Sequence, residues 1–134
     1  MAAATTSARR RPILIASWVL QVLLALLFVV GSGFPKLVGE DYAVQIFTEL
    51  GSGQWLRFVV GLLEVAGGVG LLVPRLVRPA AVGLTLLMVG ALFAQLFLLT
   101  LGFWFTPLIV GVLTATVAWL QWESAPAPAP ARVA

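Results

Sequence analysis

Residues 79–122 contain no charged side chain, and this uninterrupted stretch limits the fold of the chain more than any other feature. It is too long for one membrane-spanning helix, which needs about 20 apolar residues, and Thr100-Leu101-Gly102 is the natural turn within it. Over the whole chain 61% of residues are hydrophobic and 10% are charged, whereas a soluble domain carries about 25% charged residues. The sequence therefore predicts an integral membrane protein.

Hydropathy divides the chain into a membrane domain and two polar or irregular tails. We predict spans at residues 13–34, 55–73, 79–99 and 103–122, because each is long and apolar enough to cross a bilayer. Four such spans with small residues at helical intervals favour an all-α fold, a transmembrane antiparallel four-helix bundle. The bundle occupies residues 12–123, after a disordered basic N-terminal tail at 1–11 and before a disordered Ala/Pro-rich tail at 124–134.

Small residues recur along the predicted spans at helical intervals. Gly61 and Gly68 share one face of the second span, and Gly83 and Gly90 share one face of the third. Because small residues let membrane helices approach closely, we expect both faces to point into the bundle.

Basic residues set the predicted orientation. Arginines fill positions 9–11 before the first span, and Arg75 and Arg78 lie between the second and third spans. The positive-inside rule therefore places both termini in the cytoplasm, in what is most simply a bacterial plasma membrane. A cleaved signal peptide is the alternative for the N-terminal segment, but its apolar stretch exceeds a signal's 7–15 residues and no A-x-A site follows it.

The loop between the first two spans, EDYAVQIFTELGSG, carries a helical pattern of its own. Tyr42, Ile46, Phe47 and Leu50 repeat on one face, Asp41 can cap the helix, and the glycine that follows can end it. We expect a short extracytoplasmic interfacial helix that lies flat on the outer surface. A plain solvated loop is the alternative.

The residue types that are missing exclude several kinds of chemistry. The chain has no cysteine and no histidine, so it lacks a disulfide framework, a thiolate metal site, a dithiol redox pair and the commonest metal ligand. We therefore predict no metal site and no cofactor intrinsic to the chain. Nucleic-acid binding is a poor explanation for the net charge of +3, since the basic residues lie at span ends.

Glu64 is the residue that packing alone does not explain. It lies near the middle of the second span, where an ionised side chain costs about 2.5–3.5 kcal/mol on insertion scales. An acid at such a depth faces a cavity, takes a proton or pairs with a cation. A neutral Glu64 that only hydrogen-bonds across the bundle is the alternative.

Lys36 and Arg57 are the two candidate partners for this acid. Arg57 precedes Glu64 by seven residues on the same helical face, so the two are about 10 Å apart along the axis. Lys36 follows the sequence GSGFP, which we expect to break the first helix and turn the lysine inward over Glu64. Snorkelling of Lys36 to lipid head groups is the alternative.

The side-chain amides of Gln95 and Gln21 complete a candidate ligand-binding pocket, although each of them can equally bond a neighbouring helix. The sequence assigns no catalytic residue. The candidate pocket consists of Lys36, Glu64, Arg57, Gln95 and Gln21.

Several motifs resemble the DoxX-like family of small four-span membrane proteins. They are GSGFPKLVG, then FTELGSGQWLRFVVGLLEVAGGVGLLVPRL, then PAAVGLTLLMVGAL, within residues 28–94. The G-x-x-K at Gly33 and Lys36 and the G-x-x-E at Gly61 and Glu64 match the family pattern. Members often carry a histidine near the end of the third span, where this chain has Gln95.

The resemblance to the DoxX-like family is compatible with three functions. Some relatives are linked to thiosulfate oxidation with a quinone acceptor, and others to membrane oxidoreductase complexes that counter oxidative stress. The first hypothesis is a membrane subunit that binds a quinone or another lipophilic molecule and serves soluble or membrane redox partner proteins. The second is a small proton-coupled transporter that uses Glu64, and the third is a non-catalytic scaffold or assembly factor.

Overall fold

A computed structural model describes the backbone of residues 2–100 and 103–123, with side chains from residue 11 onward. Every regular element in these ranges is helical, which confirms the all-α prediction. Helix α1 (Ala2–Leu26) begins well before the expected first span, so the backbone of residues 2–11, which we expected to be disordered, is helical here. The expected disordered tail at 124–134 lies outside the described residues.

The first helix does not break at GSGFP, so that prediction was wrong. A π-helical segment (Leu27–Gly33) follows α1 directly and leads into α2 (Phe34–Val38), and together they give a continuous span over Arg11–Val38. In a π-helix each N–H bonds to the carbonyl five residues back, as the Phe34 N–H does with Val29. Pro35 therefore falls where the α-helical ladder is already displaced, and its missing N–H interrupts no α-helical bond.

The first loop contains the predicted short helix, α3 (Asp41–Leu50). Its N-cap is Glu40 rather than the expected Asp41, because the Glu40 carboxylate accepts a bond from the Ala43 N–H. Gly51 ends the helix with a positive φ of 74° that a glycine adopts without strain. The Phe47 side chain of α3 is buried, and the rings of Tyr42 and Phe103 pack edge to face with their centroids 6.1 Å apart.

Three further helices complete the described part of the chain. They are α4 (Gln54–Gly70), α5 (Val77–Phe97) and α6 (Phe105–Glu123). By length and composition, three helices in these ranges can cross a membrane: Arg11–Val38, Val77–Phe97 and Phe105–Glu123. Helix α4 has 17 residues, and it packs against the π-helical segment, α2 and α5. Helices α5 and α6 form an extensive antiparallel pair.

Glycines mark the closest helix contacts, but not on both of the faces that we expected. A Cβ on Gly61 would lie 3.1 Å from Leu37, and one on Gly68 would lie 2.8 Å from Val29, so this face of α4 packs tightly on the first helix. Gly83 and Gly90 on α5 have nothing within 4 Å of the same position. The prediction that the α5 glycines form a close contact was therefore wrong.

A contact between Glu49 and Thr100 ties α3 to the end of α5, and it yields a pH-dependent prediction. The Thr100 hydroxyl and backbone N–H both donate to the Glu49 carboxylate and lower its pKa below the ordinary 4.5. A lowered pKa in the folded state means that the contact is stabilising above the unfolded pKa and is lost as pH falls through the folded pKa. In Thr100→Ala the Glu49 pKa, followed by NMR titration, should move back toward 4.5. An unchanged pKa would contradict this assignment.

Candidate functional site

Glu64 and Lys36 form an ion pair between α4 and α2. Lys36 Nζ lies 2.9 Å from Glu64 Oε2, and Glu64 is only 2% exposed. An isolated charge at this depth would be costly, but the opposite charge and the hydrogen bond offset much of that cost. The structure therefore brings together the acid and the amine that the sequence indicated as a pair.

Ser32 joins the two charged groups into a closed network. Its hydroxyl lies 3.1 Å from each Glu64 carboxylate oxygen, and it accepts a 2.7 Å bond from Lys36 Nζ. Lys36 also donates to the Ser32 carbonyl oxygen at 3.3 Å. An ammonium has three N–H donors, and here all three have acceptors.

The π-helical segment places these side chains on one side of the first helix. Phe28, Ser32 and Lys36 follow one another at intervals of four, and in an α-helix each such step drifts by about 40° around the axis. A π-helical turn holds more residues, so the step from Phe28 to Ser32 falls short of a full turn and offsets the drift of the step from Ser32 to Lys36. All three side chains therefore face α4. Gly33 and Gly61 then let the helices meet closely enough for the ion pair.

A cavity of about 740 Å³ opens beside the ion pair. Most of its walls are apolar and come from the π-helical segment, α3, α4, α5 and α6, with Phe47, Ala91 and Val110 among them. The polar residues that line it are few, and they are Ser32, Lys36, Tyr42, Glu64, Gln95 and Thr106. Such a chamber suits a molecule with an apolar body and few polar groups.

The sequence model of the DoxX-like family matches residues 19–117, a range that includes every residue of the network and every residue that lines the cavity. The chain belongs to the DoxX-like family. No curated protein matches the chain, and no solved structure does either. The resemblance in the motifs around Lys36 and Glu64 is thus confirmed at the level of the family.

Arg57 of this DoxX-like protein lies outside the cavity, although the sequence placed it among the pocket residues. Its Nη1 donates to the Lys36 carbonyl oxygen and its Nε donates to Gln54 Oε1 at 2.8 Å. The guanidinium also lies 4.3 Å from the Phe58 ring centroid. A cation at the last carbonyls of a helix complements the helix dipole. Arg57 therefore caps the C-terminal end of α2, and it contacts Lys36 through the backbone carbonyl and not through the side chain.

Gln21 lies apart from the cavity as well. It is buried and donates to Ser17 Oγ at 2.8 Å, one turn earlier on α1, and the Gln121 amide reaches the same hydroxyl at 3.5 Å. Gln21 shares a helical face with Ser32 but precedes it by eleven residues, which is roughly 16 Å along the axis. The two amides and the serine instead form a polar contact between α1 and α6.

Ser32 is the site residue that the sequence did not single out. It shares a face with Gln21 and Phe28, but a serine among small residues in a span is more often a helix contact. Its spacing of four residues from Lys36 could have predicted the contact between the two side chains, but only if the helix was known to continue through Pro35. The expected break at GSGFP concealed this signal.

Proposed function

We propose that this DoxX-like protein binds a quinone or a similar lipophilic molecule as the membrane subunit of a redox or stress-related complex. The observation that carries the proposal is the 740 Å³ cavity, whose walls are largely apolar and whose polar groups are few. Binding sites for small molecules have this size and composition. The family resemblance supports the redox context.

The proposal includes an arrangement in the bilayer. Helix α4 serves as the second of four spans, because its 17 residues give a length of about 26 Å, close to a hydrocarbon core of about 27–30 Å. Both termini face the cytoplasm and α3 lies on the outer surface over the cavity. Cysteines introduced at Ser7 and Ser52 should react with an impermeant reagent from opposite sides. Reaction of both from one side would overturn this orientation.

A quinone fits the residues that border the cavity. Its isoprenoid tail would lie among apolar side chains such as Phe28 and Val110, and its polar ring would lie near the Gln95 amide. The quinone would supply electron transfer, whereas the chain's own residues bind it and exclude water. Because the chain has no cysteine or histidine, we infer that a partner protein delivers the electrons.

One observation favours a second candidate, the non-catalytic scaffold. The Lys36 donors and both Glu64 oxygens already have partners within the protein, so the pair can serve simply to join α2 to α4. In the transporter alternative, Glu64 would have to exchange Lys36 for a proton and a cationic substrate. A folded protein whose cavity holds no ligand would favour the scaffold.

Extraction of bound molecules tests the binding proposal. The protein is purified from its native membrane with its lipid shell, and lipophilic molecules are quantified by mass spectrometry against the bulk membrane. We expect enrichment of one quinone or quinone-like molecule with the unaltered protein. Ala91→Trp fills the cavity and should remove the enrichment, whereas Val89→Trp is the matched control, since Val89 is 60% exposed and lies outside the cavity lining.

Lack of enrichment would contradict the binding proposal. If the unaltered protein and both variants carry lipophilic molecules in the same proportion as the bulk membrane, the cavity retains no specific ligand. The binding proposal then fails and the scaffold takes its place.

A further inference from the structure

Gln95 carries an unfilled hydrogen-bonding group at the cavity. Its Oε1 is buried and accepts no hydrogen bond from any residue that the structure describes, and the residue lines the cavity near the end of α5. A buried amide oxygen without a donor is destabilising, and nearly all such groups in proteins have a partner. A partner from outside the chain would remove that cost.

In the ion pair at the same cavity, by comparison, the hydrogen-bonding groups already have partners. Lys36 uses its three donors on Ser32 and Glu64, and the two carboxylate oxygens accept from Ser32 and Lys36. The pair is also balanced in charge, so it offers a ligand neither an uncompensated cation nor an uncompensated anion. A charged ligand would enter the apolar chamber without a counter-charge, which is costly.

We propose that Gln95 is the residue that holds the polar group of the ligand, and that this group is an uncharged hydroxyl on an apolar body, as in a phenol, a hydroquinone or a long-chain alcohol. This inference rests on the binding function proposed above and names the form of the ligand that Gln95 holds, which is a hydroquinone rather than a quinone, because quinone carbonyls only accept hydrogen bonds. A hydroxyl both donates and accepts, so it pairs with the Gln95 amide in either orientation. An ether of the same shape lacks the donor, and a carboxylate lacks a counter-charge.

A pair of probes that differ only in the donor tests the inference. The full chain in lipid nanodiscs is titrated with para-decylphenol and with para-decylanisole, and the heat of partition into empty nanodiscs is subtracted. We expect the phenol to bind about tenfold more tightly than the anisole, the ratio that corresponds to about 1.4 kcal/mol for one hydrogen bond to a buried acceptor.

Two glutamine variants show whether the preference for the phenol over the anisole depends on Gln95. Gln95→Leu should bring the two probes to equal affinity, because it removes the amide and keeps an apolar side chain of similar size. Gln45→Leu is the matched control, since Gln45 is exposed on α3 and does not line the cavity, and it should keep the tenfold ratio. Circular dichroism of the nanodiscs shows whether each variant is folded.

The outcomes separate this inference from the function on which it rests. Equal binding of both probes to the unaltered protein overturns the hydroxyl preference but leaves a binding cavity. The same holds if folded Gln95→Leu keeps the tenfold ratio, which would move the contact to another residue. Saturable binding of neither probe overturns the binding function together with the inference.

Discussion

Glu64→Leu is expected to destabilise the folded protein by about 3–5 kcal/mol, because it leaves the Lys36 ammonium among the helices without its carboxylate. Breaking one side of a buried ion pair is costly for this reason, and Ser32 supplies only a hydroxyl and a carbonyl in compensation. The measurement is equilibrium unfolding in mixed micelles with increasing SDS. Lys36→Met should be destabilising by at least as much, since the Glu64 carboxylate that it leaves unpaired is less exposed than the Lys36 ammonium.

The double variant Lys36→Met/Glu64→Leu completes the cycle. It should recover most of the lost stability, because well-packed apolar residues replace a buried ion pair at little cost. If the two single effects simply add, the residues are not coupled and the ion pair does not hold α2 to α4. A stable double variant that also retains the bound molecule would show that the pair is structural, with the ligand held elsewhere in the cavity.

Gly33→Ala is expected to give the second large effect, a loss of about 1–3 kcal/mol from overpacking. A Cβ at this position would lie 2.7 Å from both the Phe28 carbonyl oxygen and Val65 Cγ2, and 3.0 Å from the Gly61 carbonyl oxygen. Backbone atoms cannot move aside as the end of a flexible side chain can. The π-helical segment must then shift away from α4, which also lengthens the contact between Lys36 and Glu64.

Gly83→Ala is the matched control on α5. No atom lies within 4 Å of a Cβ at Gly83, and alanine is favoured over glycine within a helix by up to about 1 kcal/mol. This substitution should therefore be neutral or stabilising in the same unfolding assay. A loss at Gly83 equal to that at Gly33 would mean that the close contact between the first helix and α4 is not the cause.

The sequence was sufficient for features that depend on local composition. Hydropathy located the long apolar helices, and the amphipathic spacing after Tyr42 predicted α3. The cost of an acid in a span was enough to connect Glu64 with Lys36, because few cations in the chain could reach it. These inferences need only burial and charge, which a single sequence shows directly.

Features that depend on the path of the backbone were not predictable in the same way. Proline rules favoured a break before Lys36, whereas the structure accommodates Pro35 by widening the preceding turns into a π-helix. Arg57 shares a face with Glu64, yet its side chain extends to the end of α2. Gln21 lies on the same helical face as Ser32, but it is too far along the helix axis to reach the cavity. In each case the direction of the side chain depends on a neighbouring helix.

Photolabelling in the native membrane is the most direct test of whether the cavity binds a lipophilic molecule. A short-chain quinone with an azide group is activated by light, and labelled peptides are mapped by mass spectrometry. We predict label on cavity-lining residues such as Ser32, Ala91 and Gln95, with loss of the label in Ala91→Trp or with excess unlabelled quinone. Label spread over exposed residues outside the cavity lining, such as Val89 and Trp119, and unaffected by the competitor, would contradict a ligand in the cavity.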